Sequence, residues 1–241
     1  MSAATAVLLS WSGGKDAAWA LHALREQADF QVVGLVTTIT AEYDRASMQG
    51  IRREVLHAQA DAVGLPLMEV SIPAKCSNAD YEAALHDGLR RVAQRWPDLQ
   101  TMAFGDLHLE DIRAYRATQL AGQGWNILTP IFGSDTALLA REMIAGGLRA
   151  SLCCVDTTEL PASFAGRRFD LELLSELPPG IDHCGENGEF HTCVYDGPMF
   201  NRPIALTQGE TVVRDVRFAY TDFTLTESSN ATLPENIRKQ R

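Results

Sequence analysis

The stretch LLSWSGGKDAAW at residues 8–19 decides the fold, because it joins an apolar run to a helical pattern through two adjacent glycines. Residues 6–10 form a short apolar run, which is typical of a buried strand. After the glycines, apolar side chains recur at helical spacing through residues 17–24. The sequence therefore predicts a strand, a tight turn and a helix in direct succession.

The small side chains of this turn suit it to hold an anion. Ser12, Gly13 and Gly14 let a ligand approach the backbone closely, and their N–H groups can turn inward. We expect the helix to begin at about Asp16, where unpaired N–H groups and the positive end of the helix dipole favour a phosphate. Lys15 would add a mobile positive charge. Asp16 would either cap the helix or help to hold a metal.

Two better-known phosphate-binding patterns do not fit the turn. A P-loop has four residues between its first glycine and a Gly-Lys pair, and a dinucleotide-binding turn has the pattern Gly-x-Gly-x-x-Gly. The alternative to phosphate binding is an ordinary glycine turn with an exposed lysine. The position of the turn favours phosphate binding, because parallel sheets bind ligands at the carboxyl ends of their strands.

Composition restricts the kinds of partner. The 241 residues are 46% hydrophobic and carry a formal net charge of −10, so a core can form under an acidic surface. Such a surface repels nucleic acids and anionic membranes, and local donors must capture any anionic ligand. The sequence has no apolar stretch of the about 20 residues that span a bilayer, and no secretory signal is expected. Five irregularly spaced cysteines do not predict disulfides, and we expect a cytoplasmic protein.

Strand and helix patterns alternate along the first half of the chain. Strands are predicted near residues 6–10, 32–38, 67–72 and 101–106, and helices near residues 17–24, 48–63, 78–96 and 112–121. This alternation implies an α/β fold with a Rossmann-like parallel sheet that is covered by helices on both faces. We divide the chain into an N-terminal domain at residues 1–124, a smaller α+β domain at 125–225 and a polar tail at 226–241.

A second polar motif, GIDHCGENGEFHT, occupies residues 180–192. Glu186 and Glu189 flank Asn187, which forms a strong turn pair with the glycine after it. If a strand follows, Glu189 and His191 share one face, and the side chains between them face the core. Glu189 could then accept a proton from an amine, and His191, titrating near neutrality, could share that role. The alternatives are a solvated turn glutamate, an edge-strand charge and a partly buried structural histidine.

The histidines and cysteines of this region do not predict a metal site. His183, Cys184, His191 and Cys193 lack the spacing of zinc ligands, and no second Cys-x-x-Cys pair is present. Four groups from a turn and a strand would also have to converge on one point. We therefore predict no protein-held metal cluster.

The first motif resembles the PP-loop of the adenine nucleotide α-hydrolase superfamily, the N-type ATP pyrophosphatases. The residues that carry this resemblance are SGGKD at 12–16, directly after an N-terminal strand. The usual motif ends in serine, whereas this sequence has Ala17 and so lacks one hydroxyl donor. The resemblance implies a parallel sheet of the HUP type.

The second motif extends the resemblance to the diphthine–ammonia ligase-like ATP-binding family. Together with FGD at residues 104–106 and DGPMF at 196–200, the motif at 180–192 is similar to that family over residues 7–200. Its ENGEFHT form is similar to a bacterial branch that has been linked to cobalamin metabolism. Met48 lacks the histidine that follows it in the family, so we assign this position no catalytic role.

The family resemblance implies an AMP-forming amide ligase that uses ATP and Mg²⁺. A substrate carboxylate would attack the α-phosphate, giving an acyl-adenylate and pyrophosphate, and ammonia or an amine would then displace AMP. The residues implied are Lys15, Glu189 and His191 for catalysis; Ser10, Ser12, Gly13, Gly14, Lys15 and Asp16 for ATP; and Asp106, Glu186, Asn187 and Glu189 for the substrate. The expected partner is a small-molecule or protein-borne carboxylate, without nucleic acid or membrane, and a homodimer is left open.

Two other functions remain as alternatives. One is a PP-loop thiolation enzyme in which Cys184 or Cys193 carries the sulfur. The other is a module that binds ATP or AMP without turnover, which the missing hydroxyl at Ala17 favours slightly.

Overall fold

The computed structural model describes residues 3–226, and the first ten elements of this range form an α/β unit. In chain order they are β1 (Thr5–Ser10), α1 (Lys15–Arg25), β2 (Phe30–Thr40), β3 (Arg45–Ala46), α2 (Arg53–Val63), β4 (Leu67–Ile72), α3 (Asn78–Arg95), β5 (Thr101–Ala103), α4 (Glu110–Ala121) and β6 (Asn126–Leu128). None of the helices in residues 3–226 combines the length and the apolar character that crossing a membrane requires.

The second part of the chain adds two helices, a 3₁₀ turn and four strands. They are α5 (Thr136–Ala145), β7 (Arg149–Asp156), the 3₁₀ turn Ala162–Phe164, α6 (Leu171–Glu176), β8 (Phe190–Asp196), β9 (Leu206–Arg214) and β10 (Phe218–Leu225). Beyond Thr226, the polar tail predicted at residues 226–241 lies outside the described residues.

The first sheet has six strands in the order β3-β2-β1-β5-β6, with β4 also paired to β2. All pairs are parallel except that of β2 with the short β3. The strand order reverses at β1, because the chain builds β2 on one side of it and β5 on the other. The carboxyl end of β1 is therefore the switch point at which α/β sheets bind ligands.

Helices cover both faces of this sheet, which confirms the predicted Rossmann-like α/β fold. Val7 and Leu9 of β1 pack into one group of buried side chains together with α1 and α2. Leu8, on the opposite face, packs into a second group with α3 and α4. This alternation of side chains along β1 is the pattern expected of a central strand that is buried on both faces.

The second sheet is antiparallel, with the order β8-β7-β10-β9, and confirms the expected α+β character of the C-terminal part. The first group of buried side chains continues into it through Leu152, Phe190 and Val194. Helix α1 contacts both β2 and β8, so it is buried between the two sheets. The first sheet includes β6 and thus extends past residue 124, and the numerical domain limits remain predictions.

Two predicted elements are shorter in the structure than predicted. The helix predicted at residues 48–63 begins only at Arg53, because the chain before it forms β3 and a loop in which Met48 and Gly50 adopt positive φ angles of 70° and 71°. The strand predicted at residues 101–106 ends at Ala103. Helix α3 begins where predicted, because Ser77 and Asp80 form a capping box.

Candidate functional site

The turn after β1 is held by β8, which lies far along the chain. The Thr192 hydroxyl accepts a hydrogen bond from the Lys15 N–H (3.0 Å), and the Gly13 carbonyl accepts one from the Val194 N–H (3.0 Å). A Cβ atom at Gly14 would lie 3.2 Å from the Thr192 carbonyl oxygen, so this close approach favours glycine. The two polar motifs therefore meet at the switch point of the first sheet.

Gln59, which is fully buried on α2, supports the turn from a third side. Its amide nitrogen donates to the carbonyls of Gly13 (3.0 Å) and Val194 (2.7 Å), and its Oε1 accepts from the indole N–H of Trp11 (3.0 Å). Sequence reasoning did not identify Gln59. The available signal was a polar residue on the apolar face of a helix, one turn after Val55.

Lys15 is buried, with 1% of its surface exposed. Its ammonium group donates to Asp16 Oδ2 (2.9 Å) and to the Cys184 carbonyl, and it lies 5.7 and 5.5 Å from the ring centroids of Phe169 and Phe190. Burial alone would lower the pKa of Lys15, but the adjacent Asp16 carboxylate reverses this effect and the pKa is raised. The expected mobile charge and the alternative of an exposed lysine are both wrong, because the cation is fixed inside the protein.

Asp16 has one carboxylate oxygen in use and one without a partner. Oδ2 pairs with Lys15, whereas the buried Oδ1 has no hydrogen-bond partner within residues 3–226. Burial raises the pKa of Asp16, although the charge of Lys15 acts in the opposite direction. Capping, one of the two roles expected for Asp16, is wrong, because Gly14 is the N-cap of α1 and no side chain caps it. A buried oxygen of this kind is costly unless a ligand satisfies it.

The loop after β5 presses against the start of α1. A Cβ atom at Gly105 would lie 2.7 Å from the backbone carbonyl of Asp16. Only glycine at position 105 therefore lets the FGD segment pack this closely on α1. Asp106 forms an ion pair with Arg116 of α4, and the Arg116 guanidinium lies 4.5 Å from the centroid of the Phe104 ring. Sequence reasoning identified Asp106 but missed Arg116, whose only sequence signal was a charge within a helical pattern.

The two glutamates of the second motif are tied into turns. Glu189 is 3% exposed and accepts hydrogen bonds from the Asp182 N–H (3.0 Å), the Asn187 N–H (2.9 Å) and the Asn187 side-chain amide (3.0 Å). Glu186 Oε1 accepts from two backbone N–H groups of the loop after β5, at 2.9 and 3.1 Å. Burial raises the pKa of Glu186. The alternative of an edge-strand charge is therefore wrong for the buried Glu189, whereas Glu186 is half-buried and bonded through one oxygen only.

His191 is half-buried on β8. Burial lowers its pKa to about 4, and the positive charge of Lys15 contributes in the same direction. The expectation that His191 titrates near neutrality is wrong, and the imidazole is neutral at pH 7. Phe190 and Thr192 are buried as predicted, but they lie against Lys15, so their face of the strand also belongs to the site.

A cavity of about 640 Å³ opens at the carboxyl ends of β1, β2 and β5. Its volume falls within the range of about 300–1,000 Å³ that is typical of small-molecule sites. Ser10 and Ser12 line it, and residues 13–16 follow directly in the chain without lining it. Tyr81 and Arg116, from α3 and α4, line it as well. The wall of this nucleotide-sized cavity thus includes two serines and an arginine.

The loop before α2 also contributes to this cavity. Met48 and Gln49 both line it, although sequence reasoning assigned no catalytic role at this position. Met48 has a φ angle of 70°, which is uncommon for a residue other than glycine and is found mainly at functional or strained sites. The absence of a catalytic role at Met48 remains a prediction.

Comparison with known proteins finds matches over both parts of the chain. The model of the diphthamide synthase N-terminal domain matches residues 4–118, and that of the C-terminal domain matches residues 135–222. Diphthine–ammonia ligase of Danio rerio is 28% identical over 234 residues, covering 88% of this chain and 91% of the relative. The ligase of Homo sapiens is 25% identical over 227 residues, covering 84% of this chain and 83% of the relative.

The diphthine–ammonia ligase of Schizosaccharomyces pombe is 27% identical over 227 residues, covering 83% of this chain. The chain spans 36% of the length of this relative and 32% of that of Saccharomyces cerevisiae, so both yeast proteins are much longer. The two domain models match in order, N-terminal before C-terminal, and together they cover most of residues 3–226. With both of its motifs inside these matches, the chain belongs to the diphthamide synthase family of PP-loop ATP pyrophosphatases.

Proposed function

We propose that the chain is an ATP-dependent, AMP-forming amide ligase that adenylates a carboxylate and transfers ammonia or an amine to it. One observation carries this proposal: the SGGKD turn is bonded to the second motif at the switch point of the sheet, beside a nucleotide-sized cavity. A carboxylate oxygen attacks the α-phosphate and pyrophosphate leaves. The nitrogen then attacks the acyl carbon and AMP leaves. Relatives named diphthine–ammonia ligase support this class of reaction.

We assign ATP to the 640 Å³ cavity, with its phosphates directed towards residues 12–14. Backbone N–H groups of the turn and the positive end of the α1 dipole would stabilise the charge on the departing pyrophosphate. Lys15 supports this field as a fixed cation behind the turn, and Arg116 supplies a second cation on the cavity wall. Asp106 then acts as a positioning residue, because it orients Arg116.

Mg²⁺ is expected to accompany ATP, and Asp16 fits as one of its ligands. Within residues 3–226, no group of three or more His, Cys, Asp or Glu residues is arranged to hold a metal. This suits an ion that is bound mostly by phosphate and water oxygens. The buried, unpartnered Oδ1 of Asp16 is the protein oxygen that we assign to it. When bound, Mg²⁺ would offset the charge of the phosphates.

At the acceptor end, Glu186 is better suited than Glu189 to bind ammonia. Both oxygens of Glu189 are occupied by its own turn, so we assign it a positioning role for Asn187. Glu186 uses Oε1 for two backbone N–H groups, and its other oxygen makes no hydrogen bond within residues 3–226. His191, neutral at pH 7, can exchange a hydrogen bond with the incoming amine without changing its charge.

The thiolation alternative is disfavoured by the state of the cysteines. Cys184 and Cys193 are each 1% exposed, and burial raises the pKa of each thiol to about 12. A sulfur carrier needs a reactive thiolate, which neither residue provides near pH 7. The non-catalytic alternative differs from the ligase in releasing no pyrophosphate.

The remaining expectations concern partners and setting. We propose a small-molecule or protein-borne carboxylate as acceptor and ammonia or an amine as donor, without nucleic acid or membrane. We further propose a cytoplasmic setting, and a homodimer is a question for solution measurements. The large negative net charge supports the exclusion of nucleic acid.

The proposal is tested by ATP·Mg²⁺ calorimetry and by pyrophosphate release with ammonia and a panel of carboxylates. Lys15→Met should lower pyrophosphate release by about 100-fold, because it removes the fixed cation behind the turn. Lys75→Met, at an exposed lysine, is the matched control and should leave the rate unchanged. Gly14→Ala keeps every charge but crowds Thr192, and should weaken ATP binding. Absence of ATP binding by the wild type, or full turnover by folded Lys15→Met, would contradict the proposal.

A further inference from the structure

A second cavity of about 520 Å³ adjoins the nucleotide-sized one. It lies between the β2–β3 segment of the first sheet and the β9–β10 hairpin of the second. The two cavities share Ala46 and Met48 in their walls, so Met48 stands where they meet. The two cavities therefore abut at this side chain.

The walls of the second cavity are fixed by charged contacts between the two sheets. Asp222 of β10 accepts hydrogen bonds from Arg45 (2.9 Å) and Arg52 (2.6 Å), and Arg45 also donates to the Gly50 carbonyl (2.8 Å). A Cβ atom at position 50 would lie 2.9 Å from the Tyr220 ring, so the loop packs directly on that ring. The cavity is thus built by both halves of the chain.

One cation on the wall lacks a counter-ion. Arg214, at the end of β9, makes no ion pair or side-chain hydrogen bond within residues 3–226, although it lines the cavity. The Asp222 carboxylate is already shared by two other arginines, and Asp215, the other carboxylate of the wall, forms no ion pair with Arg214. In a chain of net charge −10, this unpaired guanidinium marks a local site for an anion.

The rest of the wall combines polar and apolar side chains, and the polar ones are Thr40, Arg45, Asp215, Thr221 and Asp222. Among the apolar and aromatic ones, Met48 is 73% exposed, Tyr43 57% and Val212 42%, which are high values for large side chains of this kind. All three line the second cavity together with Arg214. This combination matches a ligand with an apolar chain and a terminal negative charge.

We propose that the second cavity binds the distal part of the acceptor, which carries a second carboxylate. One carboxylate is activated in the nucleotide cavity, the apolar spacer passes Met48, and the other carboxylate pairs with Arg214. The acceptor class is therefore a dicarboxylate or polycarboxylate rather than a monocarboxylate. This inference rests on the proposed ligase function and specifies its substrate.

The test uses adipate as the dicarboxylate probe and hexanoate as a monocarboxylate of equal carbon number. Binding to the full-length protein is followed by NMR titration without nucleotide, up to ~10 mM, a range that detects millimolar affinity. Adipate should bind at least about tenfold more tightly than hexanoate, because its second carboxylate gains a charge-assisted bond. Arg214→Ala should remove that difference, Arg214→Lys should retain part of it, and Arg141→Ala, at an exposed arginine of α5, should leave it unchanged.

Equal affinities of the two probes, no binding of adipate to the wild type, or unchanged adipate affinity in Arg214→Ala would each overturn the inference. Calorimetry with ATP·Mg²⁺ on the same variants separates this outcome from the proposed function. Arg214→Ala should bind ATP as the wild type does, because the residue does not line the nucleotide cavity. If calorimetry detects no ATP binding by the wild type, the ligase proposal is overturned, whether or not adipate binds.

Discussion

At the scale of the residue, Glu186 and Glu189 show how two identical side chains in one turn come to differ. Glu189 is buried, and its two oxygens accept hydrogen bonds from three N–H groups of its own turn. Glu186 extends to the loop after β5, where only its Oε1 accepts hydrogen bonds. The first side chain therefore shapes the turn, whereas the second retains an oxygen for the ammonia-binding role that we propose.

Glu186→Gln and Glu189→Gln should accordingly have different effects. Glu186→Gln keeps the bonded oxygen and should mainly raise the KM for ammonia, with little change in stability or in the KM for ATP. Glu189→Gln places an amide against an N–H donor and should lower the free energy of unfolding by about 1–3 kcal/mol. Urea unfolding and steady-state kinetics with varied ammonia check both results. A pure stability loss in Glu186→Gln would contradict the assignment of ammonia to Glu186.

The lowered pKa of His191 predicts a specific dependence of stability on pH. The unfolded histidine takes up a proton near its ordinary pKa of 6.5, whereas the folded one does so only near 4. The unfolded state thus binds more protons between these values, and stability falls as the pH falls from 7 towards 4. At pH 5 this contribution amounts to about 2 kcal/mol. Urea unfolding at pH 7 and pH 5 should show this loss of stability in the wild type and a smaller loss in His191→Asn. Equal losses in the two proteins would contradict the lowered pKa of His191.

At the scale of the element, the glycine turn at residues 12–16 is a short segment held by three others. Strand β1 fixes its entry, β8 bonds to Gly13 and Lys15, and α2 supplies Gln59. The N–H groups that would bind phosphate are therefore oriented by contacts from outside the turn. Such preorganisation is what electrostatic catalysis requires, because the donors need not move as charge develops.

Gln59→Leu tests this support directly. The substitution nearly keeps the side-chain volume. It removes the hydrogen bonds that Gln59 makes with the Trp11 indole N–H and with the carbonyls of Gly13 and Val194. Each lost buried hydrogen bond costs about 1 kcal/mol or more, so we expect a loss of about 3 kcal/mol in the free energy of unfolding. ATP affinity should fall by about tenfold as the turn loosens. Gln27→Leu, at an exposed glutamine of the α1–β2 connection, is the control for both measurements.

How far the sequence predicts these elements depends on whether the signal is local. Strand β1, the glycine turn and α1 were predictable, because period and turn chemistry lie within 20 neighbouring residues. The burial of Lys15 was not, since lysines are seldom buried and its partners Cys184 and Phe190 lie far along the chain. Gln59 was missed for the same reason. Arg116 pairs with the nearby Asp106, and it was missed because its place on the cavity wall exists only in the folded protein. The lowered pKa of His191 comes from its burial by other elements. The alternation of side chains along a strand predicts which face His191 is on, but it does not predict what covers that face.

At the scale of the whole molecule, the two sheets described within residues 3–226 are joined by a shared core and by the two ion pairs of Asp222. The apolar core runs from β1 through α1 to β8, while Asp222 of β10 pairs with Arg45 of β3 and with Arg52, the residue before α2. Hydrogen bonds from Arg52 and Arg45 hold the pKa of Asp222 at about 2, below its usual 3.8. The contact is therefore present at physiological pH and lost only in strong acid.

Asp222→Asn should weaken the union of the two sheets. A lowered folded pKa stabilises the protein above the unfolded pKa of 3.8 and ceases to do so as the pH falls towards 2. At pH 7 we expect the variant to be less stable by about 1–2 kcal/mol, after allowance for solvent screening of this partly exposed pair. Unfolding curves should converge with those of the wild type between pH 4 and pH 2. Asp215→Asn serves as the control, and an equal loss there would point to a general charge effect.

The bond between the Lys15 N–H and Thr192 spans 177 positions of the chain. A nascent polypeptide that has emerged only as far as α4 carries the glycine turn without the strand that shapes it. Long-range closure of this kind comes late in folding, since most of the intervening chain must be ordered first. The glycine turn therefore takes its observed shape only once β8 has been synthesised, and a chain that ends before β8 should not bind ATP in the way that we propose.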